Sequence, residues 1–559
     1  MKLSRNYLAI VLILLLAAYL RWARVGLDPM GADDAVISLK AISVARHGQV
    51  ELLGSAMSVG FWHSPFSIYL YAIPYSLTPD PRIARLFTGA LNVIAVALVY
   101  LTGKKVFSRP AALIAAVLYA VHPEALISGR GIWNPNVAAP FVALFILTGL
   151  LGYYHNNRWA RIIHLPALSL AVQCHPSAIL LLPITLVLGG HALRQRPDRR
   201  REIIGQTMIS GAIAALTLLP WGAGLYLAWQ SPSAQTVITP LPNRGWGYTF
   251  TTIYEGLGYW RKHYSQPIVP VLTAIASLWL LARSFRKEGM PGLAVVMGFF
   301  LVPVLALILN AKYRGFYLTP EYPNVFLIQG AFIGGVAARH GSWRGLINTR
   351  ALRWLVPPLV AFIVGLHLIY AFTPPESYLG PRYSLDEQIA AINLAETRAR
   401  ATGRDLILLA PDTGNEPPYL WELLNEGRDA RVVWHGRGLP LPLNGAVMVG
   451  FADYAARPFV FSGGDIVGEY FRIVDLPPAD HFNPDLAPLQ PIRLANGSTL
   501  FGFLRETRDS LPSANQQWTI FLIWRVDTPS AEDYKIFVHL INDRGDKYAQ
   551  LDVPALPVG

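Results

Sequence analysis

Long apolar runs alternate with short polar segments over the first two thirds of the chain. The first run covers about residues 7–25, and later ones lie near 86–103, 110–127, 137–154, 203–229, 267–282, 291–310, 316–338 and 353–372. Most of these runs approach the roughly 20 residues that an α-helix needs to cross a bilayer. No convincing small-residue cleavage site follows the first run, so we expect an uncleaved span rather than a signal peptide. The pattern predicts a polytopic α-helical membrane protein.

The apolar stretch 162–193 has basic residues on both sides, from Arg158 before it to Arg194 after it. Because basic residues mark the cytoplasmic side, such a stretch should cross the membrane an even number of times. We therefore interpret it as a hairpin of two short helices that turns near His175 and Pro176. The predicted total is then about eleven spans.

Charge agrees with this topology and excludes other classes of protein. Charged residues make up 15% of the chain and hydrophobic residues 53%, whereas a soluble domain has about 25% charged residues. The net charge of +12 does not lie on one polar face, as a nucleic-acid-binding protein would require, but in every second loop. This places the N-terminus in the cytoplasm and the C-terminus outside. The single cysteine, Cys174, excludes an intrachain disulfide and a cysteine-based zinc site.

From about residue 380 the composition becomes that of a soluble protein. Helices are predicted at 386–400 and 418–425, and strands at 405–410, 431–434, 446–449, 499–504, 518–526 and 534–541. The first strands and helices resemble a small α/β unit, and the later alternating strands an antiparallel β-sandwich. We expect a transmembrane domain over 1–372, an extracytoplasmic α/β domain over 373–485 and a β-sandwich-like accessory segment over 486–559. The turn-like end, Pro557-Val558-Gly559, leaves the completeness of that sandwich open.

Two adjacent carboxylates, Asp33 and Asp34, open an amphipathic helix just outside the first span. One interpretation is structural, because carboxylates favour the N-terminal end of a helix. The other is catalytic. Adjacent helical residues point about 100° apart, so one carboxylate would act as the base and the other as a metal ligand or positioning group.

Polar and aromatic residues on the same outer side form a candidate substrate site: His63, Trp133, Asn134, His175 and Tyr317. Trp133 offers a ring face on which a sugar could stack. The structural alternatives are an interfacial histidine for His63, a helix boundary for Asn134 and a structural histidine for His175.

Three cations on this side are candidates for binding a phosphate group: Arg130, Lys312 and Arg314. Arg130 has no acidic neighbour nearer in sequence than Glu124. Lys312 and Arg314 could instead anchor helix ends at lipid headgroups. We favour the phosphate site over anchoring at headgroups, because these cations lie on the same predicted side of the membrane as the acidic pair.

The order of these parts resembles the GT-C membrane glycosyltransferases, in particular glycosyltransferase family 39, the protein O-mannosyltransferase and aminoarabinose-transferase-like group. The matching pieces are the Asp33-Asp34 pair, the segment 63–70 (HSPFSIYL), the segment 81–86 (PRIARL) and the span end 103–107 (GKKVF). The resemblance covers residues 1–372. It implies transfer of a sugar from a polyprenyl-phosphate donor to a protein, lipid or glycan acceptor outside the cytoplasm, with an acidic residue of the first loop as general base. The departing phosphate needs cations, which fits the basic candidates.

Many members of the family that this chain resembles carry an acidic residue where this chain has Asn134 and Asn136, so we expect donor recognition to differ from theirs. No cofactor is certain, although a divalent metal bound by Asp33 and Asp34 is possible. A transporter or flippase of lipid-linked sugars is the alternative function, but we find neither internal repeats nor midplane charges. A carbohydrate-binding scaffold would not require so many spans.

Overall fold

The computed structural model describes residues 5–57, 61–230, 268–284, 289–308, 320–337, 349–372, 383–411, 419–434, 442–452, 464–478, 491–493, 498–505, 520–526, 535–541 and 547–554. The chain divides into two compact units, one of Met1–Asp28 and Asp33–Leu379 and the other of Pro29–Ala32 and Gly380–Gly559. The predicted domain boundaries after residues 372 and 485 stay predictions.

The first unit is predominantly helical in its described part. Its α-helices are α1 (Arg5–Trp22), α2 (Ala32–His47), α3 (Phe66–Tyr75), α4 (Pro81–Val106), α5 (Arg109–Val121), α6 (Pro123–Ser128), α7 (Ala139–Gly149), α8 (Arg158–Cys174), α9 (Leu182–Gln195), α10 (Arg200–Trp229), α11 (Ile268–Ser284), α12 (Met290–Ile308), α13 (Tyr322–Ala337) and α14 (Thr349–Phe372). Short 3₁₀ turns lie at Asn134–Val137, Pro176–Leu181 and Pro197–Arg199, and a π-helical turn at Leu150–Tyr154.

An apolar helix lies in each predicted span. In the described ranges, four helical stretches are long and apolar enough to cross a membrane: Pro81–Val106, Asn134–Tyr154, Pro176–Gln195 and Pro197–Trp229. Shorter apolar helices occupy other predicted spans. These helices confirm the predicted class of polytopic helical membrane protein, whereas the count of about eleven spans stays a prediction.

Proline and side-chain caps determine where these helices begin and end. At α4, Pro81 is the first residue and the Asp80 side chain accepts a hydrogen bond from the backbone N–H of Arg82 at 2.9 Å. The predicted span 110–127 is not one continuous helix, because Pro123 follows His122 and starts α6. The predicted break at His175 is confirmed, since α8 ends at Cys174.

Small residues allow α5 and α13 to pack closely. A Cβ atom on Gly330 would lie 2.6 Å from the Cβ of Ala115, and one on Gly334 would lie 2.5 Å from the Cα of Ala111. Two glycines four residues apart therefore bring the helix backbones together, which is a common way to associate helices in a bilayer.

The second unit contains a five-stranded sheet accompanied by helices, as predicted for a small α/β unit. Helices α15 (Leu385–Thr402) and α16 (Tyr419–Asn425) accompany strands β1 (Asp405–Ala410), β2 (Arg431–Trp434), β3 (Ala446–Phe451), β4 (Asp465–Val467) and β5 (Phe471–Leu476). The strand order is β2-β1-β3-β5-β4, with β1 parallel to β2 and β3, and β5 antiparallel to β3 and β4. Ser384 and Glu387 form a capping box at the start of α15, and Gly403, at φ 63°, ends it.

Antiparallel strands follow the α/β sheet. They are β6 (Ile492–Arg493), β7 (Ser498–Arg505), β8 (Ile520–Val526), β9 (Lys535–Ile541) and β10 (Lys547–Pro554). One sheet has the order β6-β7-β8, and β9 pairs with β10. The three strands predicted in this region are confirmed. The packing of the two sheets into a sandwich stays a prediction.

Candidate functional site

The N-terminal end of α2 carries the acidic pair. Asp33 and Asp34 lie in its first turn, where unsatisfied backbone N–H groups and the helix dipole favour negative charge. The Ser38 hydroxyl donates to the backbone carbonyl of Asp34 at 2.6 Å and accepts a hydrogen bond from the Tyr75 hydroxyl at 2.6 Å. These bonds fix the acidic end of α2 against α3.

Both carboxylates contact the loop formed by residues 129–136. Oδ1 of Asp34 accepts a hydrogen bond from the backbone N–H of Ile132 at 2.6 Å. The side chain of Asp33 is hydrogen-bonded to that of Trp133, whose indole can only donate. Asp34 is partly buried, whereas Asp33 is exposed. Asp34 is thus held by a backbone group, and Asp33 is the carboxylate more accessible to a substrate.

The surroundings of Asp33 favour proton uptake. Although Asp33 has an exposed surface, the protein around its carboxyl reduces the hydration of that group and so raises its pKa above the ordinary value for aspartate, and the hydrogen bond from Trp133 opposes this rise. A raised pKa makes an ionised carboxylate a stronger base. Because the side chain also contacts solvent, the group stays accessible to an exchanging proton.

The aromatic and amide residues of the loop are placed differently from one another. Trp133 is partly exposed and lies beside Asp33, so its ring is near the acidic pair. Asn134 is 3% exposed, and its Oδ1 accepts a hydrogen bond from the Ser67 hydroxyl at 2.6 Å. Asn134 therefore attaches the loop to α3, and direct substrate contact by either residue stays a prediction.

Arg130 is a buried cation with an acidic partner distant in sequence. Its Nη1 lies 3.2 Å from Oδ2 of Asp28, and its Nη2 donates to the Leu20 carbonyl at 2.7 Å. Burial lowers the pKa of its guanidinium, and Asp28 opposes this effect. The acidic partner of Arg130, which is far away in the sequence, is thus Asp28, in the segment between α1 and α2.

Arg130 belongs to a group of arginines at the C-terminal end of α1, here called the arginine cluster: Arg21, Arg24, Arg85 and Arg130. Arg21 donates to the carbonyls of Ala17 and Ala120, and Arg85 to those of Val25 and Asp28. The last carbonyls of a helix lack intrahelical partners and carry partial negative charge, which stabilises buried cations there. The cluster makes this end of α1 strongly positive.

The two predicted substrate histidines lie close together. The ring centroids of His63 and His175 are 6.4 Å apart, and Nδ1 of His175 is 2.6 Å from the Ser177 hydroxyl. Burial lowers the pKa of His63 to about 4, so this side chain is neutral at pH 7. His63 can therefore act there as a hydrogen-bonding or stacking group, but not as a cation for phosphate.

The remaining candidates, Lys312, Arg314 and Tyr317, lie outside the described residues. Their roles stay predictions.

The acidic pair suits one kind of metal ion. The described ranges contain no group of three or more His, Cys, Asp and Glu side chains that could hold a metal. Magnesium, however, commonly binds one or two carboxylates, keeps several waters and takes further ligands from substrate phosphates. Asp33 and Asp34 fit such an ion, with one Asp34 oxygen already bonded to Ile132. Participation of a metal stays a prediction.

Residues 62–222 match the model of a GT-C glycosyltransferase family. That family is described as dolichyl-phosphate-mannose-protein mannosyltransferase. The match confirms the predicted resemblance to the family 39 group and includes the loop that holds the acidic pair. No curated protein sequence matches the chain.

Solved structures of three glycosyltransferases are similar to the chain. ArnT from Cupriavidus metallidurans, bound to undecaprenyl phosphate, is 14% identical with a TM-score of 0.48, over 83% of this chain and 97% of that one. The oligosaccharyltransferase AglB from Archaeoglobus fulgidus, in complex with an inhibitory peptide and a dolichol-phosphate, is 13% identical with a TM-score of 0.45, over 77% and 64%. The arabinosyltransferase EmbB from Mycobacterium smegmatis is 13% identical with a TM-score of 0.37, over 65% and 37%. The chain thus spans less than two thirds of AglB, and at these TM-scores the likenesses establish neither mechanism nor substrate.

Sequence reasoning missed the residues that hold this site together. Arg85 lies in the segment 81–86 that carries the resemblance, and Asp28 lies between α1 and α2, yet nothing in the sequence pattern showed that they approach Arg130. Asn92, in the middle of α4, donates a hydrogen bond to the Asn136 carbonyl of the 129–136 loop. In the sequence it looks like an ordinary polar residue within a predicted span. A polar side chain within an apolar run is the one signal that could have identified it.

Proposed function

We propose that this chain is a membrane glycosyltransferase that moves a sugar from a polyprenyl-phosphate donor to a protein, lipid or glycan hydroxyl outside the cytoplasm. The N-terminus would lie in the cytoplasm and the C-terminal unit outside. The observation that carries the proposal is the hydrogen bonding of Asp33 and Asp34 to the 129–136 loop, which belongs to the matched segment 62–222.

In the proposed reaction, Asp33 is the general base. Its carboxylate removes the proton of the acceptor hydroxyl as the acceptor oxygen bonds to the anomeric carbon of the sugar. The bond from that carbon to the phosphate oxygen breaks, and the polyprenyl phosphate leaves with the electron pair. The raised pKa of Asp33 supports this role, because a stronger base takes up the hydroxyl proton more readily.

The other site residues would orient the base and the substrates. Asp34, bonded to the Ile132 N–H, is proposed as a positioning residue. Arg130, with the positive charge of the arginine cluster, and Lys312 and Arg314 would stabilise the donor phosphate. With Asp33 as the base, a divalent cation would be held by Asp34, and it would add positive charge beside the phosphate when bound.

Contacts to the sugar and the acceptor are assigned to the aromatic and polar residues around the pair. Trp133 would stack on a sugar ring beside Asp33, since its indole already bonds that carboxylate. The remaining candidates are His63, Asn134, His175 and Tyr317.

Release of polyprenyl phosphate tests the proposal. Purified protein is incubated with a radiolabelled polyprenyl-phosphate sugar and an extract of cell-envelope acceptors, and lipid and acceptor fractions are counted. Transfer of label to the acceptor fraction with equimolar release of polyprenyl phosphate supports the enzyme. In proteoliposomes, movement of intact donor across the bilayer without release would instead support the flippase.

A further inference from the structure

Amide hydrogen bonds connect the middle of α4 to the 129–136 loop. Asn92 is 2% exposed, and its Nδ2 donates to the Asn136 carbonyl at 2.9 Å and to the Thr88 carbonyl at 3.0 Å. Asn136 is 5% exposed, and its Nδ2 donates to the Gly131 carbonyl at 3.1 Å. The buried side-chain amide of Asn136 thus connects the end of the loop to Gly131 near its start.

The Gly131 carbonyl and the Ile132 N–H belong to one peptide group. Because a peptide group is planar, a bond to its oxygen fixes the direction of its N–H. Here the oxygen accepts from Asn136 and the N–H donates to Asp34 at 2.6 Å. Hydrogen bonds on the two ends of a peptide group also polarise one another, so each strengthens the other.

Packing leaves this peptide little freedom. A Cβ atom on Gly131 would lie 2.9 Å from Nδ2 of Asn136 and 3.5 Å from Oδ1 of Asp34. The loop backbone therefore passes directly between the amide and the carboxylate. A side chain at this position would push against both.

We infer that Asn136, supported by Asn92, is a positioning residue that orients Asp34, and through it the acidic pair, by fixing the peptide group between Gly131 and Ile132. This inference rests on the proposed function for its catalytic consequence, although the geometry it describes is independent of turnover. It also explains why an amide stands at position 136: a carboxylate has no hydrogen to donate to the Gly131 carbonyl.

The same change from asparagine to aspartate, made at two positions, separates the positioning role of Asn136 from the general cost of burying a carboxyl group. Asn136→Asp replaces a donor by an acceptor facing a carbonyl oxygen. Asn134→Asp, the matched control, keeps an acceptor for the Ser67 hydroxyl, which donates equally well to an amide or a carboxyl oxygen. Both sites are nearly fully buried, so the cost of burying the new carboxyl is similar. If Asn136→Asp does not fold, Asn136→Ala removes the same donor without adding charge.

Carbodiimide labelling of Asp34, followed by mass spectrometry with fragmentation to separate it from Asp33, tests the geometry without any activity assay. We expect Asp34 to label several-fold faster in Asn136→Asp than in the wild type and at the wild-type rate in Asn134→Asp. Equal labelling in all three proteins, or an equal increase in both variants, would overturn the inference.

Kinetics test the catalytic consequence. Misplacement of a catalytic group commonly costs roughly ten- to a hundredfold in rate. We expect Asn136→Asp to lower kcat by about that factor and to change donor KM much less, because Arg130, the proposed phosphate ligand in this loop, is held by its own bonds to Asp28 and to the Leu20 carbonyl. A rise in donor KM at unchanged kcat would contradict a positioning role. If the wild type transfers no sugar while the labelling result holds, the proposed function fails and the inference about Asp34 stands.

Discussion

Replacing Asp33 by asparagine should distinguish catalysis from helix stabilisation at the acidic pair. Asparagine keeps an oxygen that can accept the hydrogen bond from Trp133, so the local geometry should persist. It cannot take up a proton. The matched control is Asp34→Asn, whose amide oxygen can still accept from the Ile132 N–H.

The expected magnitudes differ widely between the two variants. Loss of a general base lowers the rate by roughly 10²- to 10⁴-fold, or about 2.7–5.4 kcal/mol in the activation free energy. Asp34→Asn weakens a charge-assisted hydrogen bond to a neutral one, which costs roughly 1 kcal/mol, or about fivefold in rate. Each variant removes one negative charge from the first turn of α2, worth about 0.3–1 kcal/mol in stability. This effect on stability is therefore common to both.

The assay is kcat for sugar transfer, with the thermal unfolding midpoint measured in the same detergent. Asp33→Asn should lose at least about a hundredfold in kcat. Equal, small losses in both variants would refute the assignment of Asp33 as base and leave helix stabilisation as the explanation of the pair. A larger loss in Asp34→Asn would exchange the two roles.

Three further predictions follow from the same geometry. Because the pKa of Asp33 is raised, the acidic limb of the pH profile of kcat/KM should lie above the ordinary aspartate pKa of about 3.9. Activity should rise as the pH increases through this limb, since the base must be ionised, and a limb at or below about 3.9 would contradict the assignment. Arg130→Lys cannot reproduce the fork that bonds Asp28 and a helix carbonyl together, so the unfolding midpoint should fall and donor KM should rise, and wild-type values for both would show that the fork is dispensable. A reporter active only outside the cytoplasm should be active when fused after residue 380 and inactive near Arg199, and the opposite result would reverse the proposed orientation.

Much of the helical framework could be predicted because bilayer-length apolar runs and proline breaks are local signals. The end of α8 at Cys174 and the break at His175 are examples. The division at Pro123 was missed because the stretches on both sides of His122-Pro123-Glu124 are apolar and keep the mean hydropathy of the whole run high. Strand bounds such as Asp405–Ala410 agreed with the sequence prediction, since short buried strands between turn residues carry a clear pattern.

The site was predicted at the level of residue types rather than partners. Asp33 and Asp34 were evident because carboxylates at a helix start beside a membrane are unusual. The ion pair of Arg130 with Asp28 joins residues 102 positions apart, and the bond of Asn92 to Asn136 joins residues 44 apart. Such contacts depend on how the helices pack against one another, and local patterns of residue types do not show which distant residues meet. Asn134 could be identified as notable, but its hydrogen bond to Ser67 could not.

The most direct test of the central claim is mass spectrometry of cell-envelope glycans from a strain that lacks this chain, complemented with the wild type or with Asp33→Asn. We expect one glycan or glycosylated acceptor to lose a single kind of sugar in the deletion strain, the wild type to restore that sugar, and Asp33→Asn not to restore it despite equal membrane abundance. Full restoration by Asp33→Asn, or unchanged glycans in the deletion strain, would contradict that claim.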